Sequence, residues 1–305
     1  MPRKSPKALV RQFLAHLGAD LDRLRGFPAL RRKFRTASGY DMDLKNPKSL
    51  SEKIQWRKLY DRNPLFPILI NKTGMAEWAG SVLPTEDHRY LPKYLQVVDD
   101  ADKLDFSALP ADLAPKCNHA LGWNVILREG AALDPDKVRR RLNRWLARDY
   151  GKDSSRHESG YHTISPRVGA QALLLNKDGS LADDVRFHIF RDQFGCGHIG
   201  TGDRQFGRRV TYFDENFTPL DVSTSRPRHV TPKPKPQGFE DMLRVAHLLA
   251  RHLDYMRVDF LSAGDRFFLN EITLYHTGGF SPIKPRSFEE KMGALWHLPD
   301  RKGRG

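Results

Sequence analysis

The chain has 305 residues, two cysteines and a formal net charge of +14 at pH 7, and its length suits one large domain or two to three tightly joined subdomains. No stretch approaches the roughly 20 consecutive apolar residues of a membrane span, and the N-terminus lacks the apolar run of a signal peptide. Cys117 and Cys196 have no metal or redox spacing, which argues against a disulfide-stabilised secreted domain and predicts a soluble, cytoplasmic protein.

The basic excess is concentrated in an N-terminal extension. Residues 1–35 carry ten Lys and Arg against two Asp, so this segment accounts for +8 of the +14. Its apolar residues recur at helical spacing. We expect the extension to lie at an anionic membrane surface or an acidic polymer, with a helix packed on the body as the alternative. No nucleic acid is expected, because no aromatic platform, recognition helix or zinc spacing accompanies the charge.

The first half of the chain combines predicted helices with short strands. Ser49 or Ser51 can cap a helix that runs through residues 51–61. Asp134 is the predicted cap of another helix, which extends to residue 149 with one apolar stripe. The other predicted elements of this half are a helix over 66–78, a strand and loop over 90–98, and a strand over 125–127.

The second half is predicted to consist mainly of strands. Strand-like runs cover residues 166–175, 184–190 and 194–200, and Asp178-Gly179 favours a turn between the first two. The proline-rich segment 231–238 is a stiff link into a helix over 239–253. Strands and helices mixed in this order predict an α+β body rather than a doubly wound sheet.

A β-hairpin near the C-terminus carries the most informative residues. The runs MRVDFLS (256–262) and RFFLNEITLY (266–275) are rich in strand formers, and the AGD between them favours a turn. This pairing places Asp259 nearly opposite Glu271, with Thr273 on the same face as Glu271. Two carboxylates so close favour a hard cation between them, typically Mg²⁺ held together with substrate phosphates, and removing either carboxylate would relieve repulsion. The alternative is that both acids are solvated on an exposed face.

Four segments resemble the TupA-like ATP-grasp family, which is associated with teichuronopeptide and other polysaccharide biosynthesis. They are SLSEKIQWRKLYDRNPL (49–65), PKCNHALGWNVIL (115–127), RFHIF (186–190) and MRVDF…NEITL (256–274), and the resemblance extends over about residues 45–298. It implies an α+β ATP-grasp fold, in which two α+β subdomains clamp ATP, together with an N-terminal helical region. It also implies ATP and Mg²⁺ as cofactors, and the joining of a carboxylate to an amine through an acyl phosphate.

The resemblance implies roles for residues that would hold metal and phosphate. Asp259, Glu271 and Thr273 fall at the Mg²⁺-binding positions, with Thr273 in a place often held by Asn. Lys72 and Lys116 match the two phosphate-binding lysines. Without this context, each lysine would be read as an ordinary surface charge.

Other nucleotide-binding candidates lie in two segments. The loop 117–124 resembles the cover over the phosphates, and VGAQALL resembles the adenine-binding hinge, where Gln171 replaces the usual glutamate. Backbone groups after Gln171 would contact the base. His119 has a structural histidine as its alternative reading. The candidates are Asn118, His119, Gln171, Ala172 and Leu173.

The candidate catalytic residues are mostly cationic. Arg257 sits where the ligase pattern has an arginine that faces the transferred phosphate. The resemblance also makes the phosphate-binding Lys116 a catalytic candidate. Arg186 and Arg204 are candidates for binding substrate anions, with ordinary salt bridges as the alternative. Backbone amides at Gly278 and the next glycine would stabilise an oxyanion together with Arg257.

We predict five segments along the chain and one principal activity. The segments are the basic N-terminal extension (1–35), an N-terminal region (36–115), an ATP-grasp subdomain with phosphate loop and adenine hinge (116–175), a second with the metal-binding hairpin (176–299), and a basic tail (300–305). The predicted activity is carboxylate–amine ligation that modifies a uronic-acid-containing surface polysaccharide. Its partners would be an acidic glycan or other carboxylate and an amine, at the inner membrane face or in the cytoplasm. The alternatives are an ATP-grasp kinase for a sugar hydroxyl and a non-enzymatic protein that binds anionic polymers.

Overall fold

Two antiparallel sheets and the helices around them form the body of the protein. A computed structural model describes residues 25–130, 134–151, 157–201 and 209–300. The helices are α1 (Pro28–Ser38), α2 (Leu50–Tyr60), α3 (Phe66–Leu69), α4 (Lys72–Val82), α5 (Pro135–Leu146), α6 (Phe239–Ala250) and α7 (Arg286–Ala294). The strands are β1 (Gln96–Val98), β2 (Leu113–Cys117), β3 (Val168–Ala172), β4 (Asp183–Phe190), β5 (Gln193–Gly200), β6 (Val210–Phe213), β7 (Met256–Ala263) and β8 (Arg266–Thr273).

The two sheets differ in size. The smaller sheet has the strand order β1-β3-β2, and the larger has the order β6-β5-β4-β7-β8. Every pairing between these strands is antiparallel. The predicted α+β body is therefore confirmed. The predicted boundary between residues 115 and 116 falls inside β2. The smaller sheet therefore contains residues from both sides of this boundary.

Two predicted elements of the first half are wrong in their extent. The helix predicted over 66–78 is two helices, since Asn71 caps α4 by accepting hydrogen bonds from the backbone N–H groups of Thr73 and Gly74. An asparagine in an extended conformation at this point interrupts the helix and begins a new one. The strand predicted over 125–127 makes only isolated bridges to β2.

The N-terminus of α2 is a capping box, as its sequence predicts. The Ser49 side chain accepts from the Glu52 N–H, and the Glu52 carboxylate accepts from the Ser49 N–H, so both orphan donors are satisfied. Ser49 is the cap, and Ser51 instead donates to Glu289.

Part of the predicted basic extension packs on the body. Residues 1–24 lie outside the described ranges, but α1 begins at Pro28 and crosses the predicted boundary at residue 35. Leu30 and Phe34 of α1 are buried in a small cluster with Trp56 of α2. Residues 28–35 are therefore part of the folded protein. The basic tail after residue 300 also lies outside the described ranges.

Alternation along the central strands separates an apolar face from a charged face. On β4, Val185, Phe187 and Ile189 are fully buried in the main core. The Phe187 ring lies 5.5 Å from the ring of Phe239 on α6. Because strand side chains alternate in direction, Arg186 points to the opposite face. The same alternation on β7 and β8 puts several charged side chains on that face, which positions the site described below.

No helix in the described ranges is long and apolar enough to cross a membrane.

A buried carboxylate joins α7 to the start of α2. Glu289 is 1% exposed, and its Oε1 accepts from Ser51 Oγ at 2.5 Å and from the Ile283 N–H at 3.3 Å. Burial raises the pKa of Glu289 to about 7, and these hydrogen bonds offset the effect only in part.

The Glu289 pKa predicts a pH-dependent stability. The folded-state pKa lies above the ordinary value of 4.5, so the folded protein binds the extra proton, and stability falls as pH rises from that value through 7. Urea unfolding should show a loss of up to about 3 kcal/mol between pH 5 and 8 in the wild type and a smaller loss in Glu289→Gln. Glu290→Gln, the neighbouring and more exposed control, should behave like the wild type. An unchanged pH profile in Glu289→Gln would contradict this assignment.

Candidate active site

A cavity of about 450 Å³ lies between the two sheets. The smaller sheet contributes residues of β2 and β3, and the larger sheet contributes residues of β4, β7 and β8. One part of its lining is charged and another is apolar. The sequence-predicted residues that line it are Lys72, Lys116, Gln171, Ala172, Leu173, Arg186 and Glu271.

The β7–β8 hairpin brings its two acidic residues together as the sequence predicts. Asp259 and Glu271 are direct partners in the strand register. Asp259 is fully buried, whereas the Glu271 side chain is 22% exposed and lines the cavity. The alternative of a solvated, exposed hairpin face is therefore wrong.

Two arginines neutralise Asp259. Arg257 donates from Nε to Asp259 Oδ1 at 2.7 Å and from Nη2 to Oδ2 at 2.5 Å. Arg186 Nε lies 3.2 Å from Oδ2 of the same carboxylate. Burial nevertheless raises the pKa of Asp259 to about 6. Removing Asp259 would relieve its repulsion from Glu271, but it would also leave Arg257 and Arg186 without this counter-charge.

Arg257 is held from several sides. Its Nη1 donates to His276 Nδ1 at 2.6 Å, and its Nη2 donates to the Thr273 hydroxyl at 3.0 Å. Burial lowers the pKa of His276 well below its usual range, and nearby His188 and Arg257 lower it further. A neutral imidazole can accept the arginine hydrogen bond. Thr273 thus contacts Arg257 in this arrangement.

The predicted phosphate lysines are both buried at the cavity. Lys72 Nζ lies 3.9 Å from Glu271 Oε2, and Lys116 Nζ donates to Asn270 Oδ1 at 3.2 Å. Burial lowers the pKa of both lysines, that of Lys116 to about 8, and Lys72 lowers the pKa of Lys116 further. Burial alone would raise the pKa of Glu271, but Lys72 and three other cations bring it below its ordinary value. The surface-charge reading of the lysines is therefore wrong.

Two candidates from the phosphate loop do not line the cavity. Asn118 donates to Asn71 Oδ1 and to the Ser165 carbonyl, and its own Oδ1 accepts from the Arg167 N–H. His119 Nε2 lies 3.2 Å from the Arg148 carbonyl. These contacts fix the base of the loop. Gly122, Trp123 and Asn124 form the part of the loop that faces the cavity.

The predicted adenine-binding segment lies at the apolar end of the cavity. Gln171, Ala172 and Leu173 line it beside Leu181 and Leu261. The Leu173 N–H already donates to the Asp112 carbonyl at 3.0 Å. The prediction that backbone groups of Ala172 and Leu173 contact the base therefore rests on their other backbone groups.

The remaining catalytic candidates have different positions. Arg186 lies in the cavity wall and pairs with Asp184 at 2.8 Å. Arg204 lies outside the described residues. The Gly278 N–H donates to the Tyr275 carbonyl at 2.8 Å, so the predicted oxyanion donor at this amide is already engaged. Gly278 lines a different cavity.

Sequence reasoning missed Asp184 and Asn270, both of which line the cavity. Strand alternation gave a usable signal for Asp184, because it lies two residues before Arg186 on the same strand. Asn270 directly precedes Glu271. A β-bulge between Asp259 and Phe260 shifts the register there, and no sequence signal marks that shift.

The donor atoms suit Mg²⁺. Glu271 presents hard carboxylate oxygens to the cavity, and its strand partner Asp259 carries a second carboxylate, whose oxygens contact Arg257 and Arg186 in this arrangement; carboxylate oxygens are the ligands that Mg²⁺ prefers. Across the described ranges, no group of three or more His, Cys, Asp or Glu side chains forms a metal site. Mg²⁺ is usually held by one or two carboxylates together with nucleotide phosphates and water, so Asp259 and Glu271 are the residues that would hold it.

The family assignment follows from the sequence. The model of the family described as TupA-like ATPgrasp matches residues 52–297. The chain therefore belongs to the TupA-like ATP-grasp family, and the ATP-grasp fold expected above is confirmed. No curated protein matches the sequence.

Solved structures give weaker similarities. The ATP-grasp ligase PsnB, complexed with a phosphomimetic variant of its minimal precursor, Mg and ADP, is 16% identical with a TM-score of 0.35, over 67% of this chain and 50% of PsnB. D-alanine–D-alanine ligase from Bacillus anthracis is 14% identical with a TM-score of 0.38, over 68% of this chain and 57% of the ligase. N5-carboxyaminoimidazole ribonucleotide synthetase from Thermus thermophilus is 10% identical with a TM-score of 0.39, over 74% of this chain and 51% of the synthetase. The chain thus spans only about half the length of these enzymes, and the assignment depends on the family match.

The two acidic residues should differ in their importance for stability. Asp259→Asn leaves two buried arginines without their shared counter-charge, so its free energy of unfolding should fall by about 3 kcal/mol. Glu271→Gln removes a partly exposed charge and should cost less than about 1 kcal/mol. Urea unfolding of both variants measures the difference. Equal losses would contradict the pairing of Asp259 with Arg257 and Arg186.

Proposed function

We propose that this protein is an ATP- and Mg²⁺-dependent ligase that joins a carboxylate to an amine through an acyl phosphate. The observation that carries the proposal is the cavity between the sheets. It combines two buried lysines and the partly exposed Glu271 with an apolar wall. Such a site suits a ligand with a polyanionic part and a flat apolar part.

The electrostatics of the cavity favour an anion. Burial has lowered the pKa values of Lys72 and Lys116, so a bound anion would stabilise their charged forms. Compact cations around phosphate oxygens are the usual means of binding a triphosphate. The apolar wall formed with Leu181 and Leu261 accommodates the base. We assign the phosphates to the lysine side and adenine to the wall beside Gln171.

The proposed reaction needs positioning and charge neutralisation more than covalent catalysis. The substrate carboxylate attacks the γ-phosphorus, ADP leaves, and the amine then displaces phosphate from the acyl phosphate. Asp259 and Glu271 would hold Mg²⁺, which would neutralise phosphate charge when bound. Arg257, fixed between Asp259 and His276 and 3.7 Å from Glu271, provides a positive charge that does not move during the reaction.

We also propose that the carboxylate belongs to a uronic acid in a surface polysaccharide. The support is the association of the TupA-like family with polysaccharide biosynthesis, together with the excess of positive charge on the chain. The basic residues 1–35 would hold the enzyme at an anionic membrane surface on the cytoplasmic side.

Loss of Glu271 should abolish turnover. Glu271→Gln removes a metal-binding charge from the cavity, and we expect ADP formation to fall by about 100-fold or more. The assay measures ADP and orthophosphate released with candidate acids and amines, and the product mass identifies the amide. Asp265→Asn, at the exposed turn of the same hairpin, is the matched control and should retain activity.

The same assay separates the alternatives. Retained ADP formation in Glu271→Gln would contradict the proposed metal role. ADP formed with a sugar hydroxyl, without amine or orthophosphate, would identify a kinase instead. Salt-sensitive polymer binding without any nucleotide affinity would identify a binding protein.

Nucleotide affinity should weaken at alkaline pH. The pKa of Lys116 is about 8, so the free protein loses this positive charge above that pH, and the Kd for ATP should rise by up to about tenfold per pH unit. Lys116→Arg keeps its charge throughout, so its Kd should change less between pH 7 and 9.5. Calorimetric titration at several pH values measures both proteins. Equal pH dependence in the two would rule out Lys116 as the titrating group.

A further inference from the structure

Tyr94 contacts both lysines of the cavity between the sheets, although it does not line the cavity itself. The residue that follows it, Leu95, donates from its N–H to the Ala170 carbonyl of β3 at 2.8 Å. Tyr94 is therefore held against the smaller sheet, just before β1 begins.

The Tyr94 ring packs directly on the backbone of Gly169 in β3. A Cβ on Gly169 would lie 2.5 Å from Cδ1 of the ring and 2.7 Å from Cε1, so any larger residue would displace the ring. Gly169 is the strand partner of Lys116 on β2, and partner residues on adjacent strands present their side chains on the same face. The ring thus occupies the space that Gly169 leaves beside the Lys116 side chain.

The ring also contacts the charged end of Lys116. The Lys116 Nζ lies 5.9 Å from the centre of the Tyr94 ring, which is within the range of a cation–π interaction. The same Nζ donates to Asn270 Oδ1 at 3.2 Å. Both of these partners are neutral, so the two contacts orient the ammonium group without neutralising it.

The hydroxyl of Tyr94 holds the other lysine through its backbone. It donates to the Lys72 carbonyl at 3.1 Å, and the Lys72 N–H donates to the Asn118 carbonyl at 3.3 Å. The Lys72 Nζ donates to the Ala120 carbonyl of the phosphate loop at 2.7 Å. Because an ammonium group has three donors, Lys72 can keep this bond and still donate to a phosphate.

We propose that Tyr94 is a positioning residue that sets the places of Lys72 and Lys116 for the phosphates of the nucleotide. This inference rests on the proposed nucleotide site. Lysine side chains are long and flexible, and ordering them costs conformational entropy. A protein that holds them in place before the ligand binds avoids this cost at binding. Tyr94 also couples the two lysines to each other, although one belongs to α4 and the other to the smaller sheet.

The ATP affinity of two variants tests the contribution of Tyr94. Tyr94→Leu removes the ring and the hydroxyl, so the Kd for ATP with Mg²⁺ should rise by about tenfold or more. Tyr94→Phe keeps the ring beside Lys116 and loses only the hydrogen bond to the Lys72 carbonyl, so the Kd should rise by about threefold. Calorimetric titration of the full chain measures each value.

A double-mutant cycle shows whether Tyr94 acts through Lys116. Lys116→Met removes the ammonium group that the ring contacts. In that background, Tyr94→Leu should raise the Kd no more than Tyr94→Phe does in the wild type, because only the contact to Lys72 is left to lose. A merely structural role for Tyr94 would raise the Kd by the same factor in both backgrounds, since independent effects add in free energy.

Gly169 allows the ring to be moved without changing Tyr94. Gly169→Ala places a methyl group against the ring, and the Kd for ATP should rise by about threefold or more. The same change should have a smaller effect in Tyr94→Leu, which lacks the ring. Tyr40→Phe is the matched control, because it removes a hydroxyl contact to Ser49 of 2.8 Å and should leave the Kd unchanged.

Two results would overturn the inference. One is a Tyr94→Leu protein, or a Tyr94→Phe protein where Tyr94→Leu does not fold, that binds ATP as tightly as the wild type. The other is a Tyr94→Leu effect of the same size with and without the Lys116 ammonium group. If the wild type binds ATP, either result overturns this inference alone, whereas a wild-type chain without ATP affinity overturns the proposed nucleotide site as well.

Discussion

The buried ion pair between Asp259 and Arg257 is the interaction on which the site depends. A fully buried carboxylate is costly unless cations and hydrogen bonds compensate for lost water. Arg257 makes two hydrogen bonds to Asp259, one to each carboxylate oxygen. Arg186 lies close to Oδ2, one of these two oxygens. His276 and Thr273 then complete the surroundings of Arg257. Strand alternation makes this arrangement possible, because the opposite face of the same strands forms the apolar core under α6.

The balance of charge around the cavity between the sheets follows from this arrangement. Asp259 is neutralised by arginines, so it does little to balance the two lysines across the cavity. Among the described residues, Lys72 Nζ lies 3.9 Å from Glu271 Oε2, and Lys116 Nζ donates to the neutral Asn270, with Glu271 and Asp184 as the acidic groups that act on its charge. The pKa of Lys116 falls to about 8 as a result of burial and the nearby lysine. A phosphate group would balance the positive charge of these lysines, so the lining of the cavity favours a ligand that carries phosphate.

The sequence predicted local features well where one physical rule dominates. Alternation and turn residues predicted the hairpin and the pairing of Asp259 with Glu271, and the capping rule predicted the start of α2 at Ser49. Four ordered segments were enough to predict the family. The prediction of one helix over residues 66–78 failed at Asn71, because this residue caps a new helix and divides the predicted helix into two.

Contacts between distant parts of the chain could not be predicted. Sequence spacing gives no information about the pairing of Asp259 with Arg186, since Arg186 is far away along the chain. For the same reason, the use of the Leu173 and Gly278 N–H groups by the protein itself was not expected. Asn118 was read as a ligand residue, yet it holds the loop through contacts to Asn71 and Ser165. In each of these examples, tertiary packing determines the hydrogen-bond or ion-pair partner, and the local sequence pattern does not.

A crystal structure with Mg²⁺ and a non-hydrolysable ATP analogue tests the central claim most directly. The account predicts phosphates within hydrogen-bonding distance of Lys72 and Lys116, a metal ion on Glu271, and adenine against Leu261 beside Gln171. An analogue bound elsewhere, or phosphates that contact neither lysine, would contradict the account.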